Sequence, residues 1–384
     1  MGLKPTPLNP NYQDPPKRET LNLINLYGAT YDRMQLLRHV GDVSQIAYAK
    51  MYQLTDGNEK GVDAIDFRTG SGLSFTVLPS RGLDISYAEY QGIPLCWRSS
   101  TGDVSPAHYE PDGLGWLRGF YGGLLTTCGM RQVGVPSEDG DEALGLHGRV
   151  SYIPAKNVWV DSRWEGQRYM LWAQGKVKEA AALGENLIRT RRIWTELGSH
   201  TLHIEDIVEN LGYQDSPHMY LFHINVGFPI LTQDSELLAP SSQVTPRDEE
   251  AAANLNNYNL CDPPTVDFQE QAFYHEMEPD VDNHIHVALV NRNFNGRQGI
   301  GVSVRYHKTQ FPNFVQWKMC GEGNYVFGLE PSNCGVEGRA KERERGTLQH
   351  IEPGGRRHYE VEIGVLASNE EIDAFQEKIS KTQN

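Results

Sequence analysis

Cysteine is scarce in this 384-residue chain, and its five copies (Cys96, Cys128, Cys261, Cys320, Cys334) are odd in number, scattered and free of any CxxC pair. That excludes a zinc ribbon and a disulfide framework, and predicts reduced thiols. Long apolar runs are also missing. No window approaches the ~18 continuous apolar residues of a membrane helix, and the N-terminus lacks the apolar core of a signal peptide. The expectation is a soluble, cytoplasmic protein with no membrane partner. Positive charge is in deficit, with 35 Lys and Arg against 50 Asp and Glu and a net charge of −15, which argues against broad binding to nucleic acid. There is no P-loop, no GxGxxG after a strand and no GxSxG elbow, so no nucleotide cofactor or serine-hydrolase chemistry is indicated.

Aromatic residues, by contrast, are plentiful: 7 Trp, 18 Tyr and 12 Phe. With 39% apolar residues they exclude a disordered chain. Residues 1–30 open with five prolines in the first sixteen positions and predict an extended arm. A short helix is expected over Tyr31–Arg38. From Gln45 the pattern turns to period two, and strand-like runs follow at Val62–Phe67, Leu73–Leu78, Asp84–Tyr90, Val150–Val160, Tyr169–Trp172, Leu187–Trp194, Thr201–Val208 and His218–Val226. Later runs are His284–Val290, Gly301–His307, Phe314–Met319, Tyr325–Leu329 and His358–Leu366. Turn signals such as Thr55-Asp56-Gly57-Asn58 and Pro353-Gly354-Gly355 separate them. Many strands with glycine-bearing turns predict an all-β sandwich or barrel, here one domain over 31–384. Ser368-Asn369-Glu370-Glu371 is a capping box, and Ile372, Phe375 and Ile379 then mark one face of a C-terminal helix. The polar stretch Leu238–Val281 reads as a long loop, of the kind that is often functional. The charge run Arg339–Arg345 reads as an exposed, self-paired face.

Three places could carry chemistry. In Gly145-Leu146-His147-Gly148 the glycines permit close approach to a histidine that could act as acid, base or donor. In the strand around His218–Val226, alternation puts Met219, Leu221, His223 and Asn225 on one face and Phe222, Ile224 and Val226 on the other, so the apolar face is complete without His223. In Gly328-Leu329-Glu330-Pro331 a carboxylate ends an aromatic strand, and apolar surroundings would raise its pKa towards that of a usable base. The competing structural readings are a loop histidine beside a turn, a core histidine satisfied by a carbonyl, and a surface glutamate. His284-Ile285-His286 places two rings on one strand face, but no further ligand is spaced as a metal motif demands, so no metal is expected.

Taken in order, the Gly-His-Gly loop, the block Leu202–Asn225 with its Glu209-Asn210-Leu211-Gly212 turn, and the late Gly-Leu-Glu330-Pro resemble the aldose 1-epimerase, galactose mutarotase-like family. The resemblance spans roughly Val62 to Leu366. It is greatest to a branch known only as aldose-1-epimerase-like, at Leu78-Pro79-Ser80-Arg81-Gly82-Leu83-Asp84-Ile85, Gly92-Ile93-Pro94-Leu95…Trp97 and Gly122-Gly123-Leu124…Cys128-Gly129. It implies a large β-sandwich (a supersandwich) with a C-terminal helix and a carbohydrate substrate. It implies His223 as general acid, Glu330 as general base and His147 as a contact near the sugar's ring oxygen and anomeric hydroxyl. The family's substrate-holding arginine sits in an Asn-Arg pair. Here Arg131 lacks the asparagine and Arg81 is its rival. The family's Tyr-Phe-Asn after the acid is replaced by Ile224-Asn225.

Such a pair suffices to interconvert anomers without cofactor. A base takes the C1 hydroxyl proton, an acid protonates the ring oxygen, the ring opens, C1 rotates and the steps reverse. Trp97, Trp116 and Trp317 could stack on a sugar face, while Asn225, Arg131 or Arg81 could hold hydroxyls. The alternatives are a non-catalytic carbohydrate-binding or sensing protein, an isomerase or lyase acting on a modified sugar, and, through His284 and His286, a metal-dependent cupin-like enzyme. Either a monomer or a homodimer is compatible with the sequence.

Overall fold

The computed structural model describes residues 23–382. Its centre is two antiparallel sheets. The larger has eight strands, in the order Lys156–Glu165, Arg168–Ala180, Asn186–Glu196, Thr201–Asn210, Arg356–Leu366, Ile300–His307, His284–Asn291 and Ser235–Leu238. The second runs Ser241–Pro246, Gln271–Met277, Asn313–Gly321, Asn324–Ser332, Ser216–Gly227 and Gln349–Ile351, with Thr126–Met130 pairing alongside Ser216–Gly227. A five-stranded sheet, Tyr48 to Pro94, closes one end. The all-β expectation holds.

Period-two patterning builds the large sheet. Asn186–Glu196 and Thr201–Asn210 alternate buried and half-buried residues along their whole length. Their inward side chains, Ile193, Ile204 and Val208, meet Phe222, Ile224, Phe327 and Leu329 of the second sheet in the main core. The strand Ser216–Gly227 is buried on both faces. Tyr220, Phe222, Ile224 and Val226 enter the main core, whereas Met219 and Leu221 enter a separate small cluster with Trp116, Phe120, Cys128 and Val315. His223 and Asn225 continue that second face, as the alternation predicted.

Arg191 ties the two layers together. It pairs with Asp84 and Asp206, each at 2.6 Å, and all three side chains are fully buried. Arg191 also donates to Thr127 Oγ1 (2.9 Å), and Asp84 accepts both the Thr127 hydroxyl and its backbone N–H. The strand Thr126–Met130 is thereby fixed beside His223.

The C-terminal helix, Asn369–Ser380, starts at the predicted cap: Ser368 accepts from the Glu371 N–H. Ile372 and Ile379 pack on Ala288 and Val290 of the large sheet. The short helix is Arg33–Leu37, with a capping box at Asp32.

Three expectations need correction. Residues 1–22 of the expected arm lie outside the described residues, but Ile24–Leu26 and Ala29–Tyr31 form a hairpin rather than extended chain. Leu238–Val281 is not a loop throughout: Ser241–Pro246 and Gln271–Met277 are strands of the second sheet, joined through a short helix at Glu249–Ala253. The run Arg339–Arg345 is a helix that pairs with itself in part, through Lys341 and Glu344 (2.9 Å), but it is not an exposed face throughout: Arg339 is buried and bonds Asp139 and Glu142 of a hairpin, each at 2.6 Å, and Arg343 bonds Asp139. Among the described residues no helix is long and apolar enough to cross a membrane.

Candidate active site

Three segments far apart in sequence bring His147, His223 and Glu330 together. In the pairing of Ser216–Gly227 with Asn324–Ser332, Ile224 lies opposite Leu329, so the next residue, Glu330, falls beside His223. The result is a contact of 3.2 Å between His223 Nε2 and Glu330 Oε1. The His147 and His223 rings are 5.8 Å apart between centroids and nearly perpendicular.

The loop carrying His147 needs its glycines. His147 itself has a φ of +55°, and its backbone is held on both sides: Gly129 N–H donates to its carbonyl, and its own N–H donates to Gly134 O, each at 3.0 Å. A side chain at Gly145 would strike the Pro111 carbonyl. Gly134 N–H also donates to His147 Nδ1 (3.2 Å). The neutral imidazole therefore carries its proton on Nε2 and offers a donor.

Aromatic rings wall the site. Trp116 lies against His147 (4.8 Å between centroids), while Phe120 and Trp317 flank His223 at 5.4 and 5.2 Å. Trp97 touches both Phe120 and Trp317. His223 is only 5% exposed and Glu330 only 2%. Burial accordingly dominates their protonation. It lowers His223 to about 4, against a smaller opposing effect of Asn225. It holds Glu330 well above the usual carboxylate range; nearby Glu270 adds to that and Arg247 works against it. His147 is lowered to about 3, by burial first and then by the His223 ring. At neutral pH the imidazole is thus neutral, and burial favours the protonated form of the carboxyl that it faces.

Gly328 makes room for that carboxyl, since a methyl there would collide with Glu330 Oε1 and crowd Trp317. Gly328→Ala should displace the carboxyl by a fraction of an ångström or more. That should lower kcat on the order of 10²-fold at a stability cost of about 1–3 kcal/mol. Steady-state kinetics beside circular dichroism would check it, and unchanged kcat in a folded variant would remove Glu330 from the reaction.

Residues 59–365 match the family model described as a domain of unknown function, DUF4432. The chain belongs to this family. A crystal structure from Klebsiella pneumoniae described as a "putative aldose 1-epimerase" superposes on the DUF4432 chain with a TM-score of 0.83 at 25% identity, covering 88% of each chain. A galactose mutarotase-like protein from Clostridium acetobutylicum (TM-score 0.57, 12% identity, 84% of this chain and 99% of that one) shares the fold. So does galactose 1-epimerase from Lactobacillus acidophilus (TM-score 0.52, 12% identity, 84% and 99%). No curated protein matches the sequence.

Within this DUF4432 chain the structure does not bring either expected arginine to the pair. Arg81 is fully buried, and Nε, Nη1 and Nη2 donate to the carbonyls of Ser151, Val104 and Gly119 at 2.7–2.9 Å. It has no donor directed at a sugar, and instead anchors the segment that carries Trp116 and Phe120. Arg131 follows Met130, which pairs with Met219, four residues from His223 and so about 13 Å along the strand. There it chelates Glu142 (2.7 and 2.9 Å) and meets Glu185 (3.3 Å), on a different cavity of about 680 Å³. Trp97 and Trp317 do stand at the site. Asn225 is fully buried, and its amide nitrogen donates to Gly123 O and His223 O, so its role is local. His284 and His286 turn to Asp280, His286 at 2.8 Å, away from these residues.

Sequence reasoning missed two charged groups. Glu270 accepts from Trp317 Nε1 (3.0 Å), and Arg247 pairs with Glu270 (3.2 Å) and Asp248 (2.8 Å). Both come from the 238–281 stretch, which therefore forms part of the rim. The signal for Arg247 was the Arg247-Asp248-Glu249-Glu250 run, which marks the stretch as polar and acidic; Glu270 stands outside it. Phe120 was also missed, although it lies in the aromatic-glycine run Gly119-Phe120-Tyr121-Gly122-Gly123.

Proposed function

We propose that this protein is an aldose 1-epimerase-like isomerase that interconverts the anomers of a sugar. The reading rests above all on the 3.2 Å contact of His223 with Glu330, with His147 alongside, inside an aromatic wall. One member of the pair takes the C1 hydroxyl proton while the other protonates O5. The C1–O5 bond breaks, leaving an open-chain aldehyde. C1 rotates, and re-addition of the O5 hydroxyl returns both protons. Electrons and protons balance within the pair, so the protein's own side chains complete the cycle. The Nε2–H of His147 would donate to a ring or anomeric oxygen. Trp317 and Trp97 would cover an apolar sugar face. The fold shared with galactose 1-epimerase and with the Klebsiella protein supports the same reaction class.

The test is saturation-transfer NMR between anomers over a panel of free aldoses. Catalysed exchange for at least one sugar is the expected result. Tight sugar binding by calorimetry with no exchange would instead make the protein a carbohydrate sensor, and products other than anomers would make it a different isomerase or a lyase.

A further inference from the structure

We infer that Glu270 is a positioning residue that holds the Trp317 indole over His223, as the last link of a chain of side chains running from Asp248 through Arg247 and Glu270 to Trp317. This rests on the function proposed above and names what fixes one wall of the site.

Packing from the neighbouring strands does little to hold the Trp317 ring. Its direct partners on Gln271–Met277 and Asn324–Ser332 are Ala272 and Gly328. Cross-strand partners share a face of the sheet, so the indole is bordered there by one methyl group and one hydrogen. Gly328 admits nothing larger, since a Cβ would lie 2.9 Å from Trp317 Cβ and collide with Glu330 Oε1. The residue that leaves room for the carboxyl thus gives up the contact that would otherwise wedge the indole. The ring still has a defined place, with its centroid 5.2 Å from that of His223 and 6.5 Å from that of Trp97. A directional bond stands in for packing: Trp317 Nε1 donates to Glu270 Oε2 at 3.0 Å.

Glu270 is half exposed and alone would be free to turn. Its other oxygen is held. Arg247 Nη2 donates to Glu270 Oε1 (3.2 Å), and Arg247 Nε donates to Asp248 Oδ2 (2.8 Å). Asp248 in turn caps the helix Glu249–Ala253, where its Oδ1 accepts from the Ala251 N–H (2.9 Å). The Arg247 N–H donates to Ala272 O (2.9 Å), on the residue opposite Trp317. The chain therefore starts and ends on the same part of the sheet. Exposed ion pairs contribute little to stability, so orientation of the indole is the effect to look for.

Stacking on a sugar requires the ring in one orientation, and a ring already fixed avoids the cost of ordering it on binding. Losing the restraint should weaken sugar binding and spare proton transfer. Glu270 also acts through its charge, which disfavours the Glu330 carboxylate. Two substitutions separate these effects. Glu270→Gln and Glu270→Ala both remove the charge, but only alanine removes the acceptor.

The first readout needs no sugar. In ¹⁵N-labelled full-length protein, the indole N–H resonance missing from Trp317→Phe should move upfield and exchange faster with water in Glu270→Ala, and move much less in Glu270→Gln. In exchange kinetics Glu270→Ala should raise KM about 3–10-fold, the scale of a lost aromatic contact, with kcat held within about twofold. Glu270→Gln should restore most of that KM. In Trp317→Phe, which has no N–H to hold, adding Glu270→Ala should raise KM no further. An indole resonance indifferent to Glu270→Ala would overturn the inference. So would equal KM values in the two Glu270 variants, which would assign the effect to charge, or a full additional KM rise in the double variant. If no sugar is exchanged, the functional reading fails by itself and the indole resonance still decides this one.

Discussion

Glu330→Gln should abolish most catalysed anomer exchange and, at the same time, raise thermal stability at neutral pH. The activity loss should be about 10²–10⁴-fold, the usual contribution of a well-placed acid–base group. The stability gain follows from linkage. Glu330 has a folded pKa well above its unfolded value, because burial and Glu270 disfavour the carboxylate. Its contribution to stability is fully present below the unfolded pKa and is lost as pH rises through the folded one. At pH 7 the unfolded chain holds a carboxylate whose ionisation burial opposes in the folded chain, and glutamine removes that difference. Melting curves at pH 4 and pH 7, beside exchange kinetics, would check both halves. The gain should shrink at pH 4, and a variant that loses activity together with stability at pH 7 would contradict the account. The wild-type pH–rate profile should fall on the acid side near the His223 pKa of about 4 and on the alkaline side as Glu330 ionises.

Asp206→Ala should cost about 3–5 kcal/mol, because it breaks a fully buried ion pair from one side. Asp206 accepts from Arg191 Nε (2.8 Å) and Nη2 (2.6 Å) and from the Tyr220 hydroxyl (2.6 Å). Its removal leaves Asp84 as the one carboxylate on Arg191 and deprives the buried Tyr220 hydroxyl of its acceptor. Melting should drop on the order of 4–6 °C for a chain of this size. The carboxyl of Asp206 is held below its ordinary value, chiefly by Arg191 working against burial. This stability is present above pH ~4 and fades as pH falls through the folded pKa. Because Arg191 and Asp84 also hold Thr127, and the neighbouring Thr126 lies opposite His223, exchange activity should fall before the protein unfolds. A variant with unchanged melting would show that water replaces the carboxylate.

The sequence displayed some of this architecture in full. Leu73–Leu78 and Asp84–Tyr90 were delimited to the residue, and the two faces of the strand bearing His223 followed from alternation alone. Periodicity records a contrast between faces: of burial in Leu73–Leu78, and, in the strand bearing His223, which is buried on both faces, of the polar His223 and Asn225 against an apolar side. Thr126–Met130 is buried on both sides and shows no contrast, so it went unread. Ser241–Pro246 failed for the opposite reason: it is a mostly exposed edge strand with polar residues on both faces. The site divides along a similar line. His147, His223 and Glu330 were legible because each is a polar residue in a setting that does not require one. The arginines were misjudged because a guanidinium in sequence carries no mark of its partners. Arg81 was claimed by three carbonyls from distant segments, and Arg131 by two carboxylates. Arg247, which does reach the rim, lay in a stretch with no periodicity to place it.

The five cysteines give the fold a built-in record of its own breathing. All are free and buried, and burial raises Cys96 to about 11 and Cys334 to about 12, so alkylation waits for local opening. Their placement divides the molecule. Cys128 and Cys334 sit in the aromatic cluster beside the site, whereas Cys261 and Cys320 lie near Lys318, where the 238–281 stretch meets the second sheet. Peptide-resolved labelling rates would therefore time the unsealing of the site and the lifting of the rim as two separate clocks, with no probe introduced.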